Sequence, residues 1–214
     1  MKVELLYGRD GLTCELPDNA RVHLIEKPAF PLAAEPRQQI ADALQAPIGC
    51  APLDQLAQGR SSACILICDI TRPVPNGLFL RPMVEQMMAA GIEKNRISVL
   101  VATGLHRPNE GTELAELVGD PWVLDNIRVE NHFAMNDDDH VDLGVTKGRG
   151  VPVKLDKRFV DADLRIATGL VEPHFMAGYS GGRKVVAPGV AHHETIRTFH
   201  SARFMEDPAA RECN

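Results

Sequence analysis

Ala63-Cys64-Ile65-Leu66-Ile67-Cys68, running straight into Asp69-Ile70-Thr71-Arg72-Pro73, decides how this chain folds. Six apolar residues in a row leave no polar face, so the segment reads as a strand buried on both sides, as in a parallel sheet. Parallel neighbours must be joined by crossovers, usually helical. Outward from this strand the pattern supplies them. Residues 83–90 read as a helix, with Pro82 near its start and Gly91 just past its end. Residues 97–102 form a second strand, which leaves through Thr103-Gly104-Leu105-His106-Arg107-Pro108. Residues 110–118 read as a helix closed by Gly119. The apolar run at 164–170 reads as a third buried strand, and 193–204 as a helix with His193, Ile196, Arg197 and His200 near one face. The alternation predicts an α/β fold: a mostly parallel, Rossmann-like sheet flanked by helices. Upstream, residues 2–25 alternate about a turn at Gly8-Arg9-Asp10-Gly11 and form a short N-terminal β segment. Residues 28–36 connect it to short helical pieces at 37–44 and 53–59. Residues 120–160 show no clear period; they hold the acidic run Asp137-Asp138-Asp139, read as a solvated loop, and a glycine-bounded loop at 144–150.

Composition narrows the function. The chain has 214 residues, 44% of them hydrophobic, enough for a sizeable core. A formal charge of −6 argues against bulk attraction to nucleic acid or an anionic membrane. The N-terminus carries no signal-peptide pattern, and no apolar run approaches membrane-spanning length. The five cysteines form no C-x-x-C pair and suit reduced thiols, with Cys64 and Cys68 as small core residues. The expectation is a soluble, cytoplasmic protein.

Chemistry gathers where the strong strands end, the place at which open α/β sheets bind ligands. Asp69 and Arg72 follow the first strand, His106 and Arg107 the second. After the third comes Glu172-Pro173-His174-Phe175-Met176-Ala177-Gly178-Tyr179-Ser180-Gly181-Gly182-Arg183-Lys184. Ala-Thr-Gly-Leu recurs at 102–105 and 167–170, each time shortly before a histidine; four matched residues are too few for a duplication, but they suit two imidazoles entering one cleft. Histidine exchanges protons near neutral pH. Arg72 and Arg107 are candidates to hold a carboxylate or phosphate by paired hydrogen bonds. Asp69 suits orienting a neighbouring histidine or arginine, and equally a strand-end cap. A glycine-rich loop followed by Arg183 and Lys184 suits an anionic ligand, and the lysine amine is either a phosphate clamp or a covalent anchor. His192, His193 and His200 have no standard zinc spacing, and His23, His132 and His140 read as surface or loop residues.

Taken in order, Asp69-x-Thr71-Arg72-Pro73, Thr103-Gly104-x-His106-Arg107, Glu172-Pro173-His174, Ser180-Gly181-Gly182-Arg183-Lys184 and His200 resemble the nickel-dependent lactate racemase family. The resemblance implies a nickel-pincer nucleotide, a pyridinium mononucleotide (3-thioamide, 5-thiocarboxylic acid) whose nickel is held by two sulfurs and a ring carbon. It implies that Lys184 anchors this cofactor through a thioamide and that His200 completes the nickel coordination. His106 and His174 would be the paired acid/base residues, Arg72 would hold the anionic substrate, and Asp69 would support the site. The cofactor phosphate is expected near the glycine and threonine backbone amides at the strand ends, with Thr103, Gly104, Gly181, Gly182 and Arg183 as cofactor-binding residues beside Lys184. The implied reaction inverts an α-hydroxy acid by hydride transfer to and from the cofactor. Cofactor-maturation enzymes are implied partners. Family members are about twice this long, so residues 1–214 read as an N-terminal catalytic and cofactor-binding domain whose C-terminal partner domain is missing, leaving little or no activity alone. Two rivals stand beside this reading: a non-catalytic nucleotide- or phosphate-binding module, and a zinc hydrolase using His192, His193 and His200.

Overall fold

The computed structural model describes residues 1–25, 28–174 and 177–208. Phe175 and Met176 of the glycine-rich stretch, and Cys213, lie outside the described residues. Residues Met1–Ala34 and Glu35–Asn214 form two separate units. The first is a β-hairpin, β1 (Lys2–Leu5) against β2 (Leu12–Glu15), antiparallel with Val3 opposite Cys14. Its turn closes through a Gly11 amide donating to Tyr7 O at 3.0 Å, as the Gly-Arg-Asp-Gly spacing predicts.

The second unit begins with two helices, α1 (Pro36–Gln45) and α2 (Leu53–Ala57). Then come β3 (Ala63–Cys68), α3 (Asn76–Ala89), β4 (Ile97–Ala102), α4 (Gly111–Val118), α5 (Pro121–Asn126) and β5 (Arg128–Asn131). An antiparallel ribbon follows, β6 (His140–Val145) with β7 (Pro152–Asp156), then α6 (Lys157–Val160) and β8 (Leu164–Ala167). The chain closes with a two-residue ribbon, β9 (Pro173–His174) and β10 (Gly178–Tyr179), and with α7 (Arg183–Val186), α8 (His193–Phe199) and α9 (Ala202–Met205). The main sheet has the order β5-β4-β3-β8 and is parallel throughout.

Strand side chains alternate between faces, and the core divides accordingly. Ala63, Ile65 and Ile67 of β3, with Ile97, Val99 and Val101 of β4, pack with Leu80, Val84 and Met87 of α3. Cys64, Leu66, Cys68 and Leu100 face the other way, toward Phe159, Val185 and Val190. Each fully buried side chain of this size contributes roughly 1.5–3 kcal/mol relative to its exposed state. No helix among the described residues is long and apolar enough to cross a membrane.

Four sequence expectations are corrected. The helix expected from 83 starts at Asn76, so Pro82 lies inside it. Leu80, Met83, Val84 and Met87 form one buried stripe across the proline, and their burial outweighs the lost hydrogen bond. The strand at 164 is an edge: β8 pairs with β3 only, and Arg165 and Ala167 are exposed. The helix expected over 193–204 is broken at His200 and Ser201. There the Ser201 hydroxyl donates back to Thr198 O at 2.7 Å and its carbonyl starts α9, a local alternative to continued helix. Finally, His132 is buried, not a surface residue. Its Nδ1 meets Asp156 Oδ2 at 3.0 Å and its Nε2 meets Ala191 O at 3.1 Å, so each ring nitrogen faces an acceptor inside the fold.

Candidate active site

The strand order places a cleft. From β3 the chain moves outward to β4 and β5, then returns to the opposite side of β3 as β8. The order reverses at β3, and the crevice beyond the strand ends there is where such sheets take ligands. A cavity of about 940 Å³ occupies this position. It is lined by Asp69 and Arg72 after β3, Thr103, Gly104 and His106 after β4, and His174, Gly181, Gly182, Arg183 and Lys184 after β8. His200, at the α8 break, lines it too. Every candidate site residue named from the resemblance therefore borders one cavity.

Asp69 is buried at the mouth of β3. Its Oδ1 accepts from the Thr71 amide at 3.1 Å and the Thr71 hydroxyl at 2.5 Å. Its Oδ2 lies 2.5 Å from His106 Nδ1. A carboxylate there accepts a hydrogen bond from the Nδ1–H of a neutral ring, which leaves the Nε2 lone pair as the basic one. His174 has the opposite arrangement: its Nδ1 accepts the Ala177 amide at 3.2 Å, so the neutral ring carries its proton on Nε2. Burial, then the charges of Lys184 and Arg72, lower the His174 pKa. Burial and Lys184 do the same to His200. Arg72 donates to Thr71 O at 3.2 Å and approaches Glu172 only at 3.9 Å, which leaves guanidinium donors for a ligand.

The glycine loop is held by Ser180, a buried residue whose hydroxyl donates to Leu170 O at 2.8 Å and accepts the Glu172 amide at 3.1 Å. Gly181 has φ +72°, and a Cβ there would sit 2.7 Å from Leu170 O. Only glycine fits this turn. It delivers Lys184 in the first turn of α7, half-buried, its side-chain amine with no hydrogen bond or ion pair among the described residues. Burial lowers the Lys184 pKa and Arg72 lowers it further.

Two expectations change at this scale. Arg107 does not line the cavity; its guanidinium is spent on Glu113, at 2.5 and 2.8 Å. Thr103 and Gly104 do line it, but their amides are already bonded, to Val101 O at 3.0 Å and Gly189 O at 2.9 Å. Those two amides are therefore not open donors for an anionic ligand. Sequence reading missed Arg149, a lining residue whose guanidinium pairs with Asp207 at 2.6 Å. Its signal was the glycine-flanked triplet Gly148-Arg149-Gly150 in the otherwise unread β6–β7 ribbon.

Comparison with known proteins agrees with this geometry. Lactate racemase from Lactiplantibacillus plantarum is 33% identical over 214 residues, 99% of this chain and 50% of that protein. Lactate racemase from Thermoanaerobacterium thermosaccharolyticum is 32% identical over 211 residues, 98% of this chain and 49% of that protein. The chain thus spans about half the length of the curated relatives it matches. The solved lactate racemase apoprotein of the latter organism superposes with a TM-score of 0.80 over 99% of this chain and 49% of its own, at 32% identity. A Thermotoga maritima protein shares the fold at a TM-score of 0.61 and 23% identity, over 79% of this chain and 42% of its own. With the family profile for the lactate racemase N-terminal domain matching residues 7–212, this chain belongs to the lactate racemase N-terminal domain family.

Proposed function

We propose that this chain is the cofactor-holding half of a racemase or epimerase of a 2-hydroxy acid such as lactate, and that the cofactor is a nickel-pincer nucleotide on Lys184. One observation supports this above others: a single cavity collects a carboxylate-held imidazole, a second imidazole, a half-buried amine with no partner among the described residues and a third imidazole. The residues fit the cofactor. The cavity of about 940 Å³ has room for a mononucleotide beside a small acid. Burial favours the neutral, nucleophilic form of the Lys184 amine, as a covalent anchor requires. The neutral form of His200 is likewise favoured, as a metal ligand requires. When bound, the group supplies a site that accepts and returns the C2 hydrogen of the substrate as hydride.

The chain's own residues do the rest. Lys184 would hold the cofactor and His200 would complete its metal coordination, with Arg183 and the loop at Gly181 and Gly182 beside the phosphate. Arg72 binds the substrate carboxylate through its uncommitted donors. His106 takes the hydroxyl proton at Nε2, and Asp69 keeps its ring in the tautomer that can do so. His174, with its proton on Nε2, is set as the donor in the same state; the two histidines exchange roles for the opposite enantiomer. The C-terminal half found in the relatives would cover the cleft, so residues 1–214 alone should racemise poorly. The free buried thiols Cys64 and Cys68 fit a reducing, cytoplasmic setting.

The test is intact-protein mass spectrometry after co-expression with cofactor-maturation enzymes, on the full-length chain. The native protein should carry a cofactor-sized adduct with nickel and interconvert D- and L-lactate; Lys184→Ala should carry none. Asp69→Asn should keep the adduct and lose about 10²–10⁴-fold in kcat. An active native protein without an adduct, or an adduct that persists in Lys184→Ala, overturns the proposal. Ligand binding without any turnover would return the chain to the class of non-catalytic nucleotide-binding modules.

A further inference from the structure

Away from the cavity, a second polar cluster forms where the 3₁₀ turn Asp137–Asp139 meets the start of α8. Four imidazoles touch in a row. The ring centroids of His132 and His140 are 5.1 Å apart, those of His140 and His192 4.8 Å, and those of His192 and His193 4.2 Å. His132 has a partner at each ring nitrogen, as described above, and so has His192. The other two do not. His140 Nε2 and His193 Nδ1 are buried atoms with no hydrogen-bond partner among the described residues. A buried ring nitrogen left unmet costs about 1–3 kcal/mol, so a pair of them in one cluster needs a reason.

For His193 the neighbouring groups supply one. His192 is 1% exposed, and its Nε2 lies 2.7 Å from Asp137 Oδ1. Its Nδ1 accepts the Glu194 amide at 3.3 Å, so the neutral ring carries its proton on Nε2 and donates it to Asp137; an ion would take the place of that proton, which would move to Nδ1, 3.9 Å from the Glu194 carboxylate. The His193 amide is tied to Ala134 O at 2.9 Å, which fixes that residue beside the same turn. One ligand atom from each of Asp137, His192 and His193 lies within 4.8 Å of the other two. Donors on a tetrahedral first-row ion stand about 3.4 Å apart, given bonds near 2.1 Å. Asp137, whose side chain is 85% exposed, and the half-buried His193 can close that gap by side-chain rotation. Glu194, whose Oε2 lies 3.9 Å from His192 Nδ1, is held by Lys154 at 2.5 Å, which leaves a fourth position to water.

We infer that Asp137, His192 and His193 form a binding site for a divalent first-row transition ion, with zinc as its simplest occupant. Two imidazoles and one carboxylate suit zinc or nickel and are a poor set for calcium or magnesium, which favour all-oxygen shells. The site does not depend on the proposed catalytic function. It also differs from the His192, His193 and His200 trio considered from sequence, because His200 lines the cavity instead. An ion here would pin the turn before β6 to the first residues of α8.

The test uses the whole chain, made without maturation enzymes, stripped with chelator and titrated with zinc, with cobalt as a spectroscopic probe. One equivalent should bind saturably, and cobalt should give the absorption of a low-coordinate nitrogen–oxygen site. Asp137→Asn and His193→Gln should each weaken zinc about tenfold or more. Thermal melts in chelator should show both variants folded like the native chain, and zinc should raise the melting temperature of the native chain only. Lys184→Ala and His200→Ala should bind zinc unchanged. The inference fails if no saturable binding is seen, if both ligand variants bind as the native chain does, or if His200→Ala abolishes binding and so moves the ion to the cavity.

Discussion

Lys184 shows how one side chain's reactivity is set by its neighbours. Its amine is half-buried, faces the charge of Arg72, and has no carboxylate paired with it among the described residues. Both effects disfavour the ammonium form, so it should titrate below an ordinary lysine. Competitive acylation read by peptide mass spectrometry should therefore give Lys184 a lower labelling midpoint than exposed lysines such as Lys2. Arg72→Leu should move that midpoint upward, since removing a cation relieves the repulsion. An unchanged midpoint would mean that burial alone sets the amine. At this scale the sequence was informative about identity and poor about partners. Asp69, Arg72, His106 and Lys184 stand out as chemical types at strand exits, yet Arg72 and Arg107 look alike in the sequence. Only the return of Glu113 from the first turn of α4 shows that Arg107 is spent.

Among the elements, the turn at Ser180 and Gly181 has little freedom to change. Ser180 clasps it, and Gly181 adopts a left-handed φ with the Leu170 carbonyl in the space a side chain would need. Gly181→Ala should cost about 1–3 kcal/mol in folding free energy, measured by denaturant melts. It should also slow Lys184 modification, because the loop must shift to relieve the contact. A neutral result would show that the loop is not packed as described. The strong strands were readable because β3 and β4 are continuous apolar runs of a length that fits no other element. The β6–β7 ribbon was not, because its side chains are mostly exposed or half-buried and its register shifts between Asp142 and Val145. A strand with no buried face carries no period to read. The start of α3 was hidden for a different reason: Pro82 looks like a boundary when only local preference is weighed, and the buried stripe that overrides it is tertiary.

For the larger unit as a whole, the Asp156 carboxylate is a central tie. It is fully buried, caps α6, and receives Arg158 at 2.6 and 2.9 Å and His132 at 3.0 Å. Burial would raise its pKa, but the hydrogen bonds from Arg158 and His132 prevail and hold it at about 2, against 3.8 ordinarily. A depressed carboxylate stabilises the fold above its unfolded pKa, and that stability is lost as pH falls through the folded value. Denaturant melts should lose roughly 2 kcal/mol from this group between about pH 4 and pH 2. Asp156→Asn should be less stable at neutral pH, with a flatter acid limb; equal acid limbs would remove Asp156 from the account. Nothing local announces this tie, since its partners stand 24 residues upstream and two downstream with no shared motif.

The pairing of β8 with β3 joins Ala63 to Leu164 across a hundred residues of intervening chain. A ribosome that has made only β3, β4 and β5 has made a sheet with one flank bare and no crevice. The cavity is complete only when the last parallel strand has paired with the first, and newly made chains expose Cys64 and Leu66 until Phe159, Val185 and Val190, which cover that face, have been made.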